Sequence, residues 1–124
     1  MKKYKNDVFG KFTFELSRIN YDMADIRNLQ LILENSAVIN FSYKRKLELI
    51  SRIEFLQDKV DYINNILDQM YWKDKDVLIR YFVRGYSYKK TGYVFHMSER
   101  YISNRICVYM RKKYTSLIDV KRLR

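Results

Sequence analysis

GYSYKKTGYVFHMSERYISNR, residues 85–105, decides how the chain is read. Gly85 closes an apolar run, at the place where a left-handed residue ends a helix without a Cβ clash. Ser87 comes next, with the side chain of an N-cap: its hydroxyl accepts an amide hydrogen that the first helical turn leaves unpaired. The spacing predicts a two-turn helix over 88–95, with Val94 and Phe95 facing the core. Gly92 lies inside that helix, where glycine costs about 1 kcal/mol relative to alanine. It calls for a packing reason, and a steep crossing of two helices supplies one.

His96-Met97 then makes a turn. Ser98 is a second N-cap, and Glu99 puts negative charge where the helix dipole favours it. A third helix is predicted from 99 to about 113. It buries Ile102 and Ile106, with Tyr109 or Met110 continuing the stripe. Its other face carries Arg100, Ser103, Asn104, Arg105, Arg111, Lys112 and Lys113. A short helix, a tight turn and a longer helix with basic and amide side chains is a predicted helix-turn-helix.

Upstream, VLIRYFVRG (77–85) puts Val77, Leu78, Tyr81 and Phe82 on one face, and KDKD (73–76) offers a helix start at Asp74 or Asp76. Residues 12–33 show a helical stripe of Phe12, Leu16, Ile19, Met23, Ile26 and Leu33. A connection is predicted at 35–43, with Ser42 capping the next helix. The second stripe runs through Leu49, Ile53, Leu56, Val60, Ile63, Leu67 and Met70 in alternating steps of four and three. That heptad pattern suits a coiled coil or a bundle helix, pairing either within the chain or with a second subunit as a homodimer. Proline is absent and only three glycines occur. The predicted fold is all-α: an N-terminal helical hairpin or coiled-coil arm over 1–73, and a helix-turn-helix domain over 74–124.

Charge separates the same two parts. Residues 1–79 carry 13 Lys and Arg against 12 Asp and Glu; residues 80–124 carry 12 against two. Excess positive charge confined to one end points to a polyanionic partner for that end. Cys107 stands alone, so no disulfide forms within the chain, and MKKYKNDVFGKF has no apolar run of a signal peptide. No stretch approaches the ~20 apolar residues of a membrane span. These features predict a cytoplasmic protein. One Cys and one His do not make a zinc site, no glycine-rich phosphate loop is present, and nothing gathers Ser, His and Asp as a triad. No enzyme, no cofactor and no small-molecule substrate are expected.

Gly85-x-Ser87-Tyr88-Lys89, the small Gly92, apolar Val94, Phe95 and Met97, then Ser98-Glu99-Arg100-x-Ile102 and Arg105-Ile106 together resemble region 4 of bacterial sigma-70-type factors. VLIRYFVRG resembles the helix leading into that motif. With a helical arm in front, the layout is similar to sigma-region-4-like late-gene activators of phages of low-GC Gram-positive bacteria. The detailed resemblance covers about 77–113. His96 departs from the usual turn glycine, Thr91 from an aliphatic position, and Tyr93 and Tyr101 are large for their places.

The resemblance implies a bacterial host cell, double-stranded DNA as partner, and entry of the third helix into the major groove. Arg100 would pair with guanine O6 and N7, Asn104 with adenine N6 and N7, and Ser103 would make a shorter contact. Glu99 would accept from cytosine N4 or simply cap. Ser87, Tyr88, Lys89, Lys90, Arg105, Arg111 and Lys112 are the phosphate candidates. For each Lys or Arg a solvated surface charge is the competing explanation. Leu49, Ile53, Leu56, Val60, Ile63 and Leu67 would form a dimer or partner helix. The function expected is that of a sequence-specific DNA-binding transcription regulator, encoded by a phage or mobile element; the alternatives are a module that binds or inhibits host RNA polymerase or another regulator, and a nonspecific nucleic-acid binder.

Overall fold

The computed structural model describes residues 7–36 and 41–123; within them every regular element is helical. Helix α1 spans Val8–Ser17, α2 Ile19–Glu34 and α3 Tyr43–Asp68. Helix α4 starts as an α-helix at Trp72–Leu78 and continues as a π-helical turn, Ile79–Val83. Helix α5 is Tyr88–Phe95. Helix α6 begins at Glu99–Asn104, widens into a π-helical turn at Arg105–Met110 and closes at Arg111–Tyr114. Two 3-10 turns come after it, Thr115–Leu117 and Val120–Leu123. Part of the connection predicted at 35–43, residues 37–40, lies outside the described residues.

The stripe predicted over 12–33 is two helices. Asp7 caps the first by accepting from the Gly10 amide at 2.6 Å. The chain leaves helical geometry at Arg18 (φ −98°, ψ 0°), whose own amide bonds Glu15 O at 3.1 Å. The break rotates α2 relative to α1. Phe9, Phe12 and Leu16 of α1 and Ile19 and Ile26 of α2 are buried, while Met23, expected in the stripe, is exposed. Asp22 takes the inward position instead.

Ser42 caps α3, accepting from the Arg45 amide at 3.2 Å. The heptad stripe is consumed within the chain: Leu49, Leu56, Val60, Ile63, Leu67 and Met70 are buried, and Ile53 is half-buried against the same core. Helix α2 lies along α3, and Lys59 reaches back to both Glu15 and Asp22 at 3.0 Å. The role expected for this stripe in a second subunit is corrected accordingly. A side chain already removed from water by its own chain has no apolar area left to bury against another.

The core also crosses the predicted boundary at 73/74. Phe9, Leu56, Ile63, Leu67, Leu78, Ile106, Met110, Tyr114 and Leu123 belong to one apolar cluster. Helix α1 packs against the π-helical turn of α4 and against the turn at Val120–Leu123. Tyr62 of α3 accepts from the Asp119 amide at 2.6 Å, with Arg122 over its ring. Helices of the N-terminal part therefore wall the same core as those of the C-terminal part. Burial of each large apolar side chain at this junction contributes roughly 1.5–3 kcal/mol.

Candidate nucleic-acid interface

Gly85 stops α4 in the left-handed region, with φ +74°. The Arg84 amide bonds Ile79 O and the Tyr86 amide bonds Arg80 O, both at 2.9 Å, so the helix ends in wide turns. Ser87 then caps α5, its Oγ accepting from the Lys90 amide at 3.0 Å. Ser98 caps α6 in the same way, accepting from the Tyr101 amide at 3.0 Å. Between them His96 adopts φ 57°, ψ 41°, and the Met97 amide returns to Gly92 O at 2.8 Å. A Cβ on Gly92 would overlap the Met97 carbonyl oxygen and stand 3.3 Å from the Met97 and Ser98 carbonyl carbons. The glycine is required by backbone approach at the turn.

The two helices bury one side and present the other. Thr91 and Gly92 of α5 and Ile102, Ile106 and Met110 of α6 face inward. Phe95 is half-buried. Val94, expected in the core, is 37% exposed, because Thr91 and Gly92 take the contact with α6. The stripe of α6 continues through Met110, and Tyr109 lies outside.

On the open side Glu99, Arg100 and Asn104 are exposed and Ser103 is half-buried. Arg100 and Asn104 are four residues apart, so they share a helix face one turn apart. Lys89, Lys90 and Lys112 are exposed too, with the Lys90 ammonium 4.1 Å from the centre of the Tyr86 ring.

Four of the expected phosphate contacts already bond or stack within the fold. Ser87 uses its oxygen as the α5 cap. Tyr88 stacks on Tyr81, with ring centres 4.4 Å apart and planes 3° from parallel. Its hydroxyl sits 3.8 Å from Cys107 Sγ, and burial together with hydrogen bonding to Tyr81 and Cys107 pushes its ionisation well above the usual phenol range. Arg111 bonds the Asp7 carboxylate and the Cys107 carbonyl, lying over the Phe9 ring.

Arg105 donates from Nε to Asp74 Oδ1 at 2.8 Å and from Nη2 to Oδ2 at 3.1 Å. Burial opposes its charge, but the hydrogen bonds and the Asp74 carboxylate outweigh that and raise its pKa. Tyr114 donates to Asp74 Oδ2 at 2.5 Å and accepts from the Tyr71 amide at 3.3 Å. Asp74 thus ties the start of α4 to the middle and end of α6.

Family models, curated proteins and solved structures yield no match to this chain.

Among the described residues no three His, Cys, Asp or Glu side chains gather to hold a metal ion, and no helix is long and apolar enough to cross a membrane. Cys107 is half-buried beside Tyr88. Sequence reasoning missed Asp74, which is 2% exposed. KDKD looks like a solvated helix start, and its partners lie 31 and 40 residues away. No local period carries such a signal.

Proposed function

We propose that the chain is a sequence-specific DNA-binding transcription regulator of the sigma-70 region 4-like kind, encoded by a phage or mobile element, whose α5–turn–α6 unit is a helix-turn-helix. Helix α6 enters the major groove, its N-terminal half leading. Arg100 pairs with guanine and Asn104 with adenine, while Lys89, Lys90 and Lys112 meet phosphates.

The observation that carries this reading is the pair Arg100 and Asn104. Both stand exposed, one turn apart, on a doubly capped helix pair in a segment with 12 basic and two acidic residues. Neither side chain has a place in the core. The pair is held from behind by Ile102, Ile106 and the Asp74–Arg105 clamp. A reader of base edges needs that division: a fixed back and a free, hydrogen-bonding front.

Helices α2 and α3 form the hairpin of this reading. Since their heptad stripe is internal, contact with RNA polymerase or a second copy falls to the exposed apolar side chains Leu31, Ile32, Leu47, Ile50 and Phe55.

Selection of bound duplexes from a randomised library at low salt, then mobility shift, tests the proposal. A motif should emerge, and Arg100→Ala and Asn104→Ala should each lose about 1–3 kcal/mol of discrimination at one position. Folded protein that enriches no motif contradicts it. Uniform binding that falls equally with salt for all sequences favours a nonspecific binder. Unchanged discrimination in both variants favours a protein-docking module.

A further inference from the structure

Val108 on α6 is left unexplained by capping, core or charge. Val108 is 61% exposed. The helix already has its buried stripe in Ile102, Ile106 and Met110, so packing does not ask for valine here. Helix propensity does not ask for it either, since a β-branched side chain is a poorer helix former than Lys, Arg or Gln. A surface that met only phosphates would gain more from a cation.

Val108 is not isolated. Tyr101 and Tyr109, exposed by 45% and 42%, flank it, and with Asn104 and Arg105 the three line a shallow concavity of about 510 Å³. The Arg105 guanidinium lies 3.6 Å from the centre of the Tyr109 ring and is pinned underneath by Asp74. The floor of this concavity is therefore fixed. Lys112 and Lys113 follow on the next turn, both exposed, and the Lys113 ammonium donates to the Tyr109 hydroxyl at 3.1 Å. A short, stiff apolar group beside an amide, set in positive surroundings, matches one feature of duplex DNA. Adenine shows an amide-compatible edge in the major groove, and thymine alone shows a methyl group there.

We propose that Val108 is a specificity-determining residue that packs on the C5 methyl of a thymine in the target site. The proposal rests on the DNA-reading function and specifies its ligand: a site containing an A·T pair one or two steps from the adenine read by Asn104. The spacing comes from geometry. Asn104 and Val108 line one concavity four residues apart, a separation of about 5–6 Å between neighbouring side chains on a helix, and stacked base pairs are about 3.4 Å apart.

Deoxyuridine supplies the test, because it removes the methyl group and nothing else. The full chain selects its duplex, and each thymine of that duplex is then replaced singly by deoxyuridine. One replacement should raise Kd about fourfold, the factor that burial of one methyl group is worth. The same replacement should have no effect on Val108→Ser and should keep its effect on Arg100→Ala. An exposed valine can be exchanged for serine without disturbing the core.

If a motif is selected but every deoxyuridine duplex binds like its parent, the assignment of Val108 fails and the DNA-reading function stands. An equal penalty in wild type and Val108→Ser has the same meaning. If no motif is selected, both fall. If Val108→Ser leaves DNA binding intact and weakens capture of purified RNA polymerase, the concavity is a protein-docking surface and the proposal is overturned.

Discussion

Arg105 and Asp74 form a two-pronged ion pair that closes α6 onto α4, with the carboxylate 2% exposed and the guanidinium side chain 20% exposed. Tyr114 adds a third hydrogen bond to the same carboxylate. Removing the acid strands a cation and a phenol together. Asp74→Ala is expected to cost about 3 kcal/mol, the low end for a broken buried pair, because Arg105 keeps some contact with water. Urea unfolding measures this. Asp74→Ala combined with Tyr114→Phe should cost less than the sum of the two, since both act through one carboxylate; strict additivity would show that the three groups are not one unit.

The same pair distinguishes an arginine held within the fold from the lysines proposed to meet phosphates. Each phosphate neutralised adds about 0.9 to the slope of log K against log salt. Lys89→Ala, Lys90→Ala and Lys112→Ala should each flatten that slope by roughly one unit at little cost in stability. Arg105→Ala should do the opposite: lower the urea midpoint and leave the slope alone. A flattened slope in Arg105→Ala, with folding intact, would return Arg105 to the phosphate-contacting set.

Gly92 and His96 make the turn, and they respond in opposite directions. Gly92→Ala gains about 1 kcal/mol in helix propensity but drives a Cβ into the Met97 carbonyl. Overpacking against backbone costs about 1–3 kcal/mol, so a net loss is expected. His96 holds φ 57° at a site where glycine has no steric penalty, so His96→Gly should gain about 0.5–1 kcal/mol. Thermal unfolding of both variants checks the pair; a stabilised Gly92→Ala would mean that the helices do not approach this closely at the turn.

The same residues show what was legible beforehand. Capping is local, so Ser42, Ser87 and Ser98 announced three helix starts, and Gly85 announced a stop. Gly92 inside a short helix pointed to close approach because nothing else excuses its cost. The buried ionic groups were not legible. Asp74 sits in a run of charges, and only the fold brings Arg105 and Tyr114 to it. Lys59 looks like an outer-face residue until α1 and α2 carry Glu15 and Asp22 over it. The break at Arg18 carries no glycine or proline, so the stripe from 12 to 33 read as one helix. At the candidate interface, periodicity separated Ile102 and Ile106 from Arg100 and Asn104 correctly. It could not separate Arg105 and Arg111, committed within the fold, from Lys89 and Lys112.

Lys59 is the second buried ionic centre, with its ammonium 3.0 Å from Glu15 and from Asp22 and only 9% of its side chain exposed. Burial works against its charge, yet the two carboxylates outweigh that and hold its pKa above the ordinary lysine value. Lys59→Met leaves two acids facing each other and should cost about 3–5 kcal/mol. Replacing all three by apolar residues (Lys59→Met, Glu15→Leu, Asp22→Leu) should recover most of that, because no charge is then left without a partner. A triple variant as unstable as the single one would mean that packing, not charge, is what Lys59 supplies.

Tyr114 links stability to alkaline pH. Burial and its hydrogen bond to Asp74 push the phenol up to about 12 from an ordinary 10.0. The folded chain therefore holds this proton after the unfolded chain has released it. The contribution is complete below pH 10 and is lost as pH rises through about 12, and it amounts to something on the order of 2 kcal/mol. Lys59 acts in the same direction above its own ordinary value of 10.5, so the wild type alone does not isolate Tyr114. Comparison with Tyr114→Phe does, since phenylalanine has no proton to lose. Urea midpoints at pH 9, 10 and 11 should fall more steeply for the wild type than for Tyr114→Phe. Parallel curves would show that the phenol ionises alike in both states, and the clamp at Asp74 would then rest on Arg105 alone.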